Sequence, residues 1–203
     1  MTQSRPNFNQ AVRSLLKHVS ATMPEFSHIR PSRILVVGGE ARRASRGTVK
    51  PLVYSAKGRR QKSIVRIKGR RILYCITLRP LFFRSSTPQA RIETLLHELF
   101  HISPAFDGTL DQGRRHAAAG KRFERKLRPI VKRYLMRCPP ELWALFAFNG
   151  EIRMLQWLER PGAAGASVAQ GRKVYTEEQL FYGPVRMLTR RTRPVRSHKM
   201  KLH

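Results

Sequence analysis

Acidic residues are scarce in this chain of 203 amino acids. Lysine and arginine number 41 against 12 aspartates and glutamates, so the formal net charge is +29, and residues 41–92 contain no acidic residue. Such a charge opposes compaction by self-repulsion unless a polyanion balances it. The composition therefore predicts a nucleic acid partner, DNA or RNA, bound through its phosphates. The alternatives are an anionic membrane, disfavoured without a basic amphipathic helix bearing a strong aromatic face, and a merely solvated basic surface.

Cysteine and long apolar runs are also nearly missing. The two cysteines, Cys75 and Cys138, exclude a four-cysteine zinc ribbon and a disulfide framework, and we interpret Cys75 as a core residue. The first ten residues lack the apolar run of a secretory signal, and no stretch approaches 18 apolar residues. These absences predict a cytoplasmic, reducing location, nucleoid association included, and no membrane partner.

One motif in this basic sequence indicates a catalytic metal site. His97-Glu98-Leu99-Phe100-His101 reads His-Glu-x-x-His. On a helix, residues four apart stand on one face, so both imidazoles can bind one Zn²⁺. The glutamate between them is placed to act as general base for hydrolysis without ligating the metal. The motif therefore predicts a zinc-dependent hydrolase, most simply a peptidase.

The surrounding pattern predicts a helix over 87–102. Thr87 and Pro88 suit an N-cap and a first turn, and Ser103-Pro104 suits a stop. An apolar stripe at helical spacing lies opposite the two histidines, with Glu98 on the flank; its members are Ile92, Leu95, Leu96, Leu99 and Ile102. The alternative is an ordinary amphipathic helix with two surface histidines.

A catalytic zinc site usually takes three protein ligands, and three residues could supply the third. We favour His116, fifteen residues after His101, because imidazole is the better zinc ligand. Asp107 stands where extended forms of the motif place their third ligand, but Pro104 replaces the expected glycine. Glu124, on the next helix, is the glutamate alternative. The alternative interpretations are a turn residue for Asp107 and a charge partner of Arg128 for Glu124.

The remaining pattern predicts an α+β fold with a short, mostly antiparallel sheet packed on the motif helix and a second helix. Helical spacing covers 7–20 and the stretch from Phe123 to Leu135, which Pro129 should kink or divide. A buried strand is predicted at Arg33–Gly38 and further strands at 151–158 and within 174–188. A loop is predicted over 103–119 and a short helix over 141–148. We expect one domain over 1–188, with its core at about 30–160, and a basic disordered tail at 189–203.

Two basic segments are candidates for phosphate contact. Runs at 63–68 and 72–78 predict a hairpin around Gly69-Arg70-Arg71. Its candidate residues are Arg66, Lys68, Arg70 and Arg71. An edge strand charged against aggregation is an equally good interpretation. In the tail, Arg190 and Arg191 begin a basic arm suited to nonspecific nucleic acid binding.

The motif and its sequel resemble the SprT/Spartan group of zinc metallopeptidases. The likeness covers about residues 30–137 and is carried by His97-Glu98-x-x-His101, by His116, and by the segment GKRF at 120–123. The run HELFHISPAFDG at 97–108 is also similar to small metallopeptidases of bacteria and phages. In the SprT group a glycine generally follows the third histidine directly, whereas here residues 117–119 are alanines.

This resemblance implies a small zincin-type domain with Zn²⁺ held by His97, His101 and His116 and with Glu98 as catalytic base. It also implies a peptidase that acts on proteins bound to nucleic acid. Two alternatives are a non-enzymatic basic nucleic-acid-binding protein with a structural or accidental metal site, and a phage-encoded or toxin-like peptidase for a specific host protein. Zinc content and peptidase activity discriminate among them.

Overall fold

The computed structural model describes residues 5–39, 45–54, 62–114, 116–162 and 173–190; the side chains of 54, 62, 114 and 116–121 lie outside this description. The helices are α1 (Phe8–Thr22), α2 (Pro80–Arg84), α3 (Pro88–Phe100), α4 (His116–Arg137) and α5 (Pro140–Ala147). The strands are β1 (Ile34–Gly38), β2 (Gly47–Pro51), β3 (Val53–Tyr54), β4 (Lys62–Ser63), β5 (Val65–Ile67), β6 (Arg70–Ile72), β7 (Tyr74–Leu78), β8 (Gly150–Trp157) and β9 (Leu180–Met187).

Five strands form the central sheet, in the order β2-β7-β1-β8-β9. The predicted α+β class is confirmed, but the expectation of a mostly antiparallel sheet was wrong. The three inner strands β7, β1 and β8 run parallel, and only the outer pairs β2–β7 and β8–β9 are antiparallel. Long excursions separate the inner strands along the chain: β2–β6 lie between β1 and β7, and four helices lie between β7 and β8. Connections of this length allow the chain to cross over and return in the same direction.

The sheet is buried on both faces at its centre. All five residues of β1 are buried, and successive side chains point to opposite faces. Ile34 and Val36 join the larger core under the helices. Leu35 and Val37 join a smaller core with Val65 on the other face. This division matters for function because it separates the motif helix from the β5–β6 hairpin.

The N-terminal helix has the predicted amphipathic character. The side chain of Asn7 caps α1 by accepting a hydrogen bond from the Asn9 amide. The apolar stripe is fully buried; it consists of Phe8, Val12, Leu15, Leu16 and Val19. The helix therefore packs its stripe on the larger core, as the spacing predicted.

The hairpin differs from its prediction. β5 pairs with β6 in the register Arg66↔Arg71, and the turn is Lys68-Gly69, both with positive φ (49° and 73°). The predicted second strand, 72–78, was wrong as a unit: Ile72 ends β6, whereas β7 leaves the hairpin for the central sheet. One β-rich run thus supplies two different sheets.

The second long helix also corrects two expectations. α4 begins at His116, so the predicted loop to Ala119 was too long at its end. The helix continues through Pro129, so the expectation that this residue could divide it was wrong. Pro129 is exposed, so its ring projects toward solvent and away from the core.

The last two described residues, 189 and 190, are hydrogen-bonded to the rest of the domain. The amide of Thr189 donates to Asn149 Oδ1, and the amide of Arg190 donates to the Ser86 carbonyl. Residues 191–203, which hold most of the predicted tail, lie outside the described residues. Among the helices of the described residues, none has the length and apolar character needed to traverse a lipid bilayer.

Candidate metal centre and cleft

The motif helix α3 forms where the sequence predicts it. Thr87 caps it by accepting a hydrogen bond from the Ala90 amide at 3.1 Å, and Pro88 occupies the first turn. His101 is the C-cap residue, one position beyond the last helical residue, Phe100. The predicted apolar stripe is wholly buried: Ile92, Leu95, Leu96, Leu99 and Ile102 are each 0% exposed. The helix is thereby fixed against the core, and its other face is turned to a cleft.

The two histidines converge as ligands of one ion would. His97 Nε2 and His101 Nε2 lie 3.2 Å apart, and their rings meet at an interplanar angle of 75°. A tetrahedral zinc with Zn–N bonds of about 2.0–2.1 Å places two ligand nitrogens about 3.3–3.4 Å apart. The separation observed here is within about 0.2 Å of that distance. The pair therefore fits a single zinc ion, although the same distance also suits a hydrogen bond between two neutral imidazoles.

Phe123 from α4 holds both rings in place. Its ring stacks on His101 with centroids 4.7 Å apart and meets His97 edge-on at 4.9 Å. The side chain is 2% exposed and also contacts Phe100. The sequence placed Phe123 only on the apolar face of its helix. Its second role, orienting two imidazoles on another helix, depends on how α3 and α4 pack.

Glu98 is buried beside the histidines, next to the edge strand β2. It is 7% exposed, and the Val49 amide of β2 lies close enough to its carboxylate to lower the carboxyl pKa. Burial raises the pKa of the Glu98 carboxyl to about 7, while the Val49 amide and the nearby charge of Arg79 act in the opposite direction. Gly47 makes room for this arrangement, because a Cβ there would lie 3.0 Å from Thr94 Cγ2 and 3.5 Å from Glu98 Oε1.

The candidates for the third ligand are placed differently. Asp107 is exposed, and its Oδ1 accepts hydrogen bonds from the amide and the hydroxyl of Thr109, as in an ordinary turn. Glu124 lines the cleft, but its Oε1 lies 3.9 Å from His97 Nδ1, the ring nitrogen opposite the converging one. Among the described residues, Asp107 and Glu124 included, no group of three His, Cys, Asp or Glu could hold a metal. His116 is the first residue of α4, and its side chain lies outside the described residues.

A cleft of about 1570 Å³ opens over this centre. The edge strand β2 forms one wall, α3 lies beneath with His97, Glu98 and His101, and α4 forms the other wall. Arg79, which directly follows β7, also lines the cleft. Its Nε and Nη1 are buried and have no hydrogen-bond partner within the part of the chain that the structure describes. Sequence reasoning missed Arg79, because nothing in its local pattern indicates that it faces the motif.

The predicted phosphate-binding residues lie away from this cleft. Val65 and Ile72 anchor the hairpin in the smaller core, on the face of the sheet opposite α3. All four basic residues of the hairpin are exposed: Arg66, Lys68, Arg70 and Arg71. Arg190 is exposed at the end of the described chain, and Arg191 lies outside it. The hairpin and the motif helix are therefore not brought together.

Comparison with known proteins adds no relative: no protein-family model, no curated protein and no solved structure matches this chain.

Proposed function

We propose that this protein is a zinc-dependent peptidase that acts on proteins associated with nucleic acid, as its resemblance to the SprT group implies. The observation that carries the proposal is the convergence of His97 Nε2 and His101 Nε2, 3.2 Å apart, beside the buried Glu98 in an open cleft. Phe123 supports this arrangement, because it stacks on His101 and meets His97 edge-on, and so limits the orientations of both rings.

His97 and His101 would hold the metal, with His116 as the proposed third ligand. Zinc bound there would supply Lewis-acid polarisation of the scissile carbonyl and acidify a water molecule. Glu98 would accept the proton from that water and deliver it to the leaving amine. The nearby Val49 amide favours the charged form of this carboxylate, which is the form that accepts a proton.

The substrate would lie extended along β2. This strand is at the edge of the central sheet and borders the cleft, so a peptide backbone could pair with it as an added strand. Because Glu98 lies beside Gly47 and Val49 of β2, the base would be next to the bound peptide.

Zinc content tests the metal site directly. We expect about one zinc per purified chain by elemental analysis. His97→Ala should lose this zinc, because it removes one of the two converging nitrogens. The matched control is His18→Ala, since His18 lies on α1 and bonds to Tyr134 instead. Wild-type protein without zinc, or a His97→Ala variant that retains it, would contradict the site.

Arg79 would stabilise negative charge on the carbonyl oxygen during hydrolysis. The buried Nε and Nη1 of Arg79 have no hydrogen-bond partner among the described residues, and leaving such groups unpaired costs free energy. Arg79 lines the cleft, and its charge lowers the pKa of Glu98. Arg79→Met should lower kcat on fluorescein-labelled casein by about 10²–10³-fold, the usual effect of losing such a donor. Zinc content should not change. Partial recovery by added guanidinium would separate lost chemistry from altered folding, whereas unchanged kcat would contradict the role.

The second candidate function explains the basic surface without catalysis: the protein would bind nucleic acid and have no peptidase activity. The exposed basic side chains of α4 favour it as strongly as they favour the peptidase. Casein cleavage, abolished by chelator and restored by zinc, would exclude this alternative. Running the assay with and without DNA separates a DNA-stimulated peptidase from a general one.

A further inference from the structure

Among the helices and strands of the described structure, α4 carries the largest number of basic residues. The helix carries eight lysines and arginines and a single acidic residue, Glu124. Six of the basic residues are exposed: Arg122, Arg125, Lys126, Arg128, Lys132 and Arg137. Arg133 pairs with Glu25, but none of these six forms an ion pair with an acidic side chain within the described residues.

This arrangement is unfavourable for an isolated helix. Arg122 with Lys126, and Arg128 with Lys132, are like charges at i,i+4, a spacing at which they repel and weaken the helix. An anionic ligand on this face would remove the repulsion. We propose that the outer face of α4 is the surface that binds duplex DNA. The proposal rests on the nucleic acid partner of the proposed function, and does not depend on peptidase activity.

The charges form two rows that suit the two strands of a duplex. At about 100° per residue, Arg122, Lys126 and Arg137 lie in one row. Arg125, Arg128 and Lys132 lie in a second row, about 120° around the axis. A helix fits the major groove of B-DNA, which is about 12 Å wide, and the rows would then reach the phosphates along both walls.

The same face is poorly suited to a single strand. Single-stranded nucleic acid is held largely by stacking its bases on exposed aromatic rings. The aromatic residues of α4, Phe123 and Tyr134, are 2% and 0% exposed, so neither can provide such a platform. This difference is the reason for assigning a duplex.

The position of α4 connects binding to the cleft. Arg128 and Lys132, from the second row, also line the cleft that contains His97 and Glu98. DNA on α4 would therefore lie at the mouth of the cleft, and proteins bound to that DNA would be presented to it. The hairpin, on the opposite face of the sheet, could not do this.

Two matched triple variants test the assignment. The α4 variant carries Arg122→Gln, Arg125→Gln and Lys126→Gln, none of which lines the cleft. The hairpin variant carries Arg66→Gln, Lys68→Gln and Arg70→Gln, and so removes the same charge. Binding is measured by fluorescence anisotropy with a labelled duplex of about 24 base pairs and with one of its strands alone, at several salt concentrations.

If each residue neutralises one phosphate, the α4 variant should lose affinity about fivefold per contact at about 0.15 M salt, and on the order of a hundredfold in all. The slope of log K against log salt should fall by about 2.7. The hairpin variant should change far less. Equal losses in both variants, a larger loss in the hairpin variant, no loss in either, or a single strand bound as tightly as the duplex would each overturn the proposal. Circular dichroism checks that both variants fold. Because the assay needs no turnover, an inactive peptidase would leave its result unaffected.

Discussion

Replacing Glu98 by glutamine is expected to abolish casein cleavage while zinc stays bound. Glutamine is nearly isosteric with glutamate, so the packing of this buried side chain is kept. It cannot accept a proton, and a positioned general base typically contributes about 10²–10⁴-fold to the rate. The loss should appear in kcat, because Glu98 is proposed to act on the attacking water and not to bind the substrate. Elemental analysis should still find about one zinc per chain.

A control variant separates this effect from the general loss of an acidic group. Glu141→Gln changes an exposed glutamate in the first turn of α5, outside the cleft, and should leave both kcat and zinc content unchanged. Cleavage by Glu98→Gln at the wild-type rate would show that the base has been wrongly assigned. Loss of zinc in that variant would instead show that Glu98 belongs to the ligand set.

The motif helix could be predicted from the sequence because all its signals are local. The cap at Thr87, the apolar stripe and the histidine spacing lie within one segment, and 3.6-residue periodicity fixes which face is buried. The surroundings of Glu98 could not be predicted in this way. They depend on β2, about fifty residues earlier, whose pairing with β7 places Val49 and Gly47 against α3.

Packing between elements also explains why other features could not be predicted from the sequence. The run containing Ile72 and Tyr74 is continuous in β-propensity, but its two parts serve different sheets, and no local pattern marks the division. Phosphate contact at the hairpin stays a prediction, drawn from basic residues that are adjacent in sequence. The basic residues of α4 are spaced along a helix, and the helical spacing predicted from Phe123 to Leu135 includes neither Arg122 nor Arg137.

A buried arginine six residues before His97 joins the motif helix to the rest of the domain. Arg91 is 0% exposed, and burial lowers its pKa to about 10. Its guanidinium donates five hydrogen bonds: to the carbonyls of Phe82, Phe83, Phe146 and Leu188 and to Thr189 Oγ1. Three of these carbonyls lie in the last turns of α2 and α5, where helical carbonyls lack intrahelical partners and carry the negative end of the dipole.

Arg91→Met should therefore be the most destabilising of the substitutions considered. It keeps the apolar volume of the side chain but leaves buried carbonyls unpaired, and we expect a loss of about 3–5 kcal/mol in the free energy of unfolding. Urea denaturation measures this as a lower midpoint with an unchanged slope. Arg91→Lys should lose less, because an ammonium keeps the charge but cannot reach all five acceptors. Arg84→Met, on the exposed side of α2, should change stability by less than about 0.5 kcal/mol. If Arg91→Met and Arg84→Met were equally mild, the guanidinium would not be what holds α3 to α2, α5 and the end of β9.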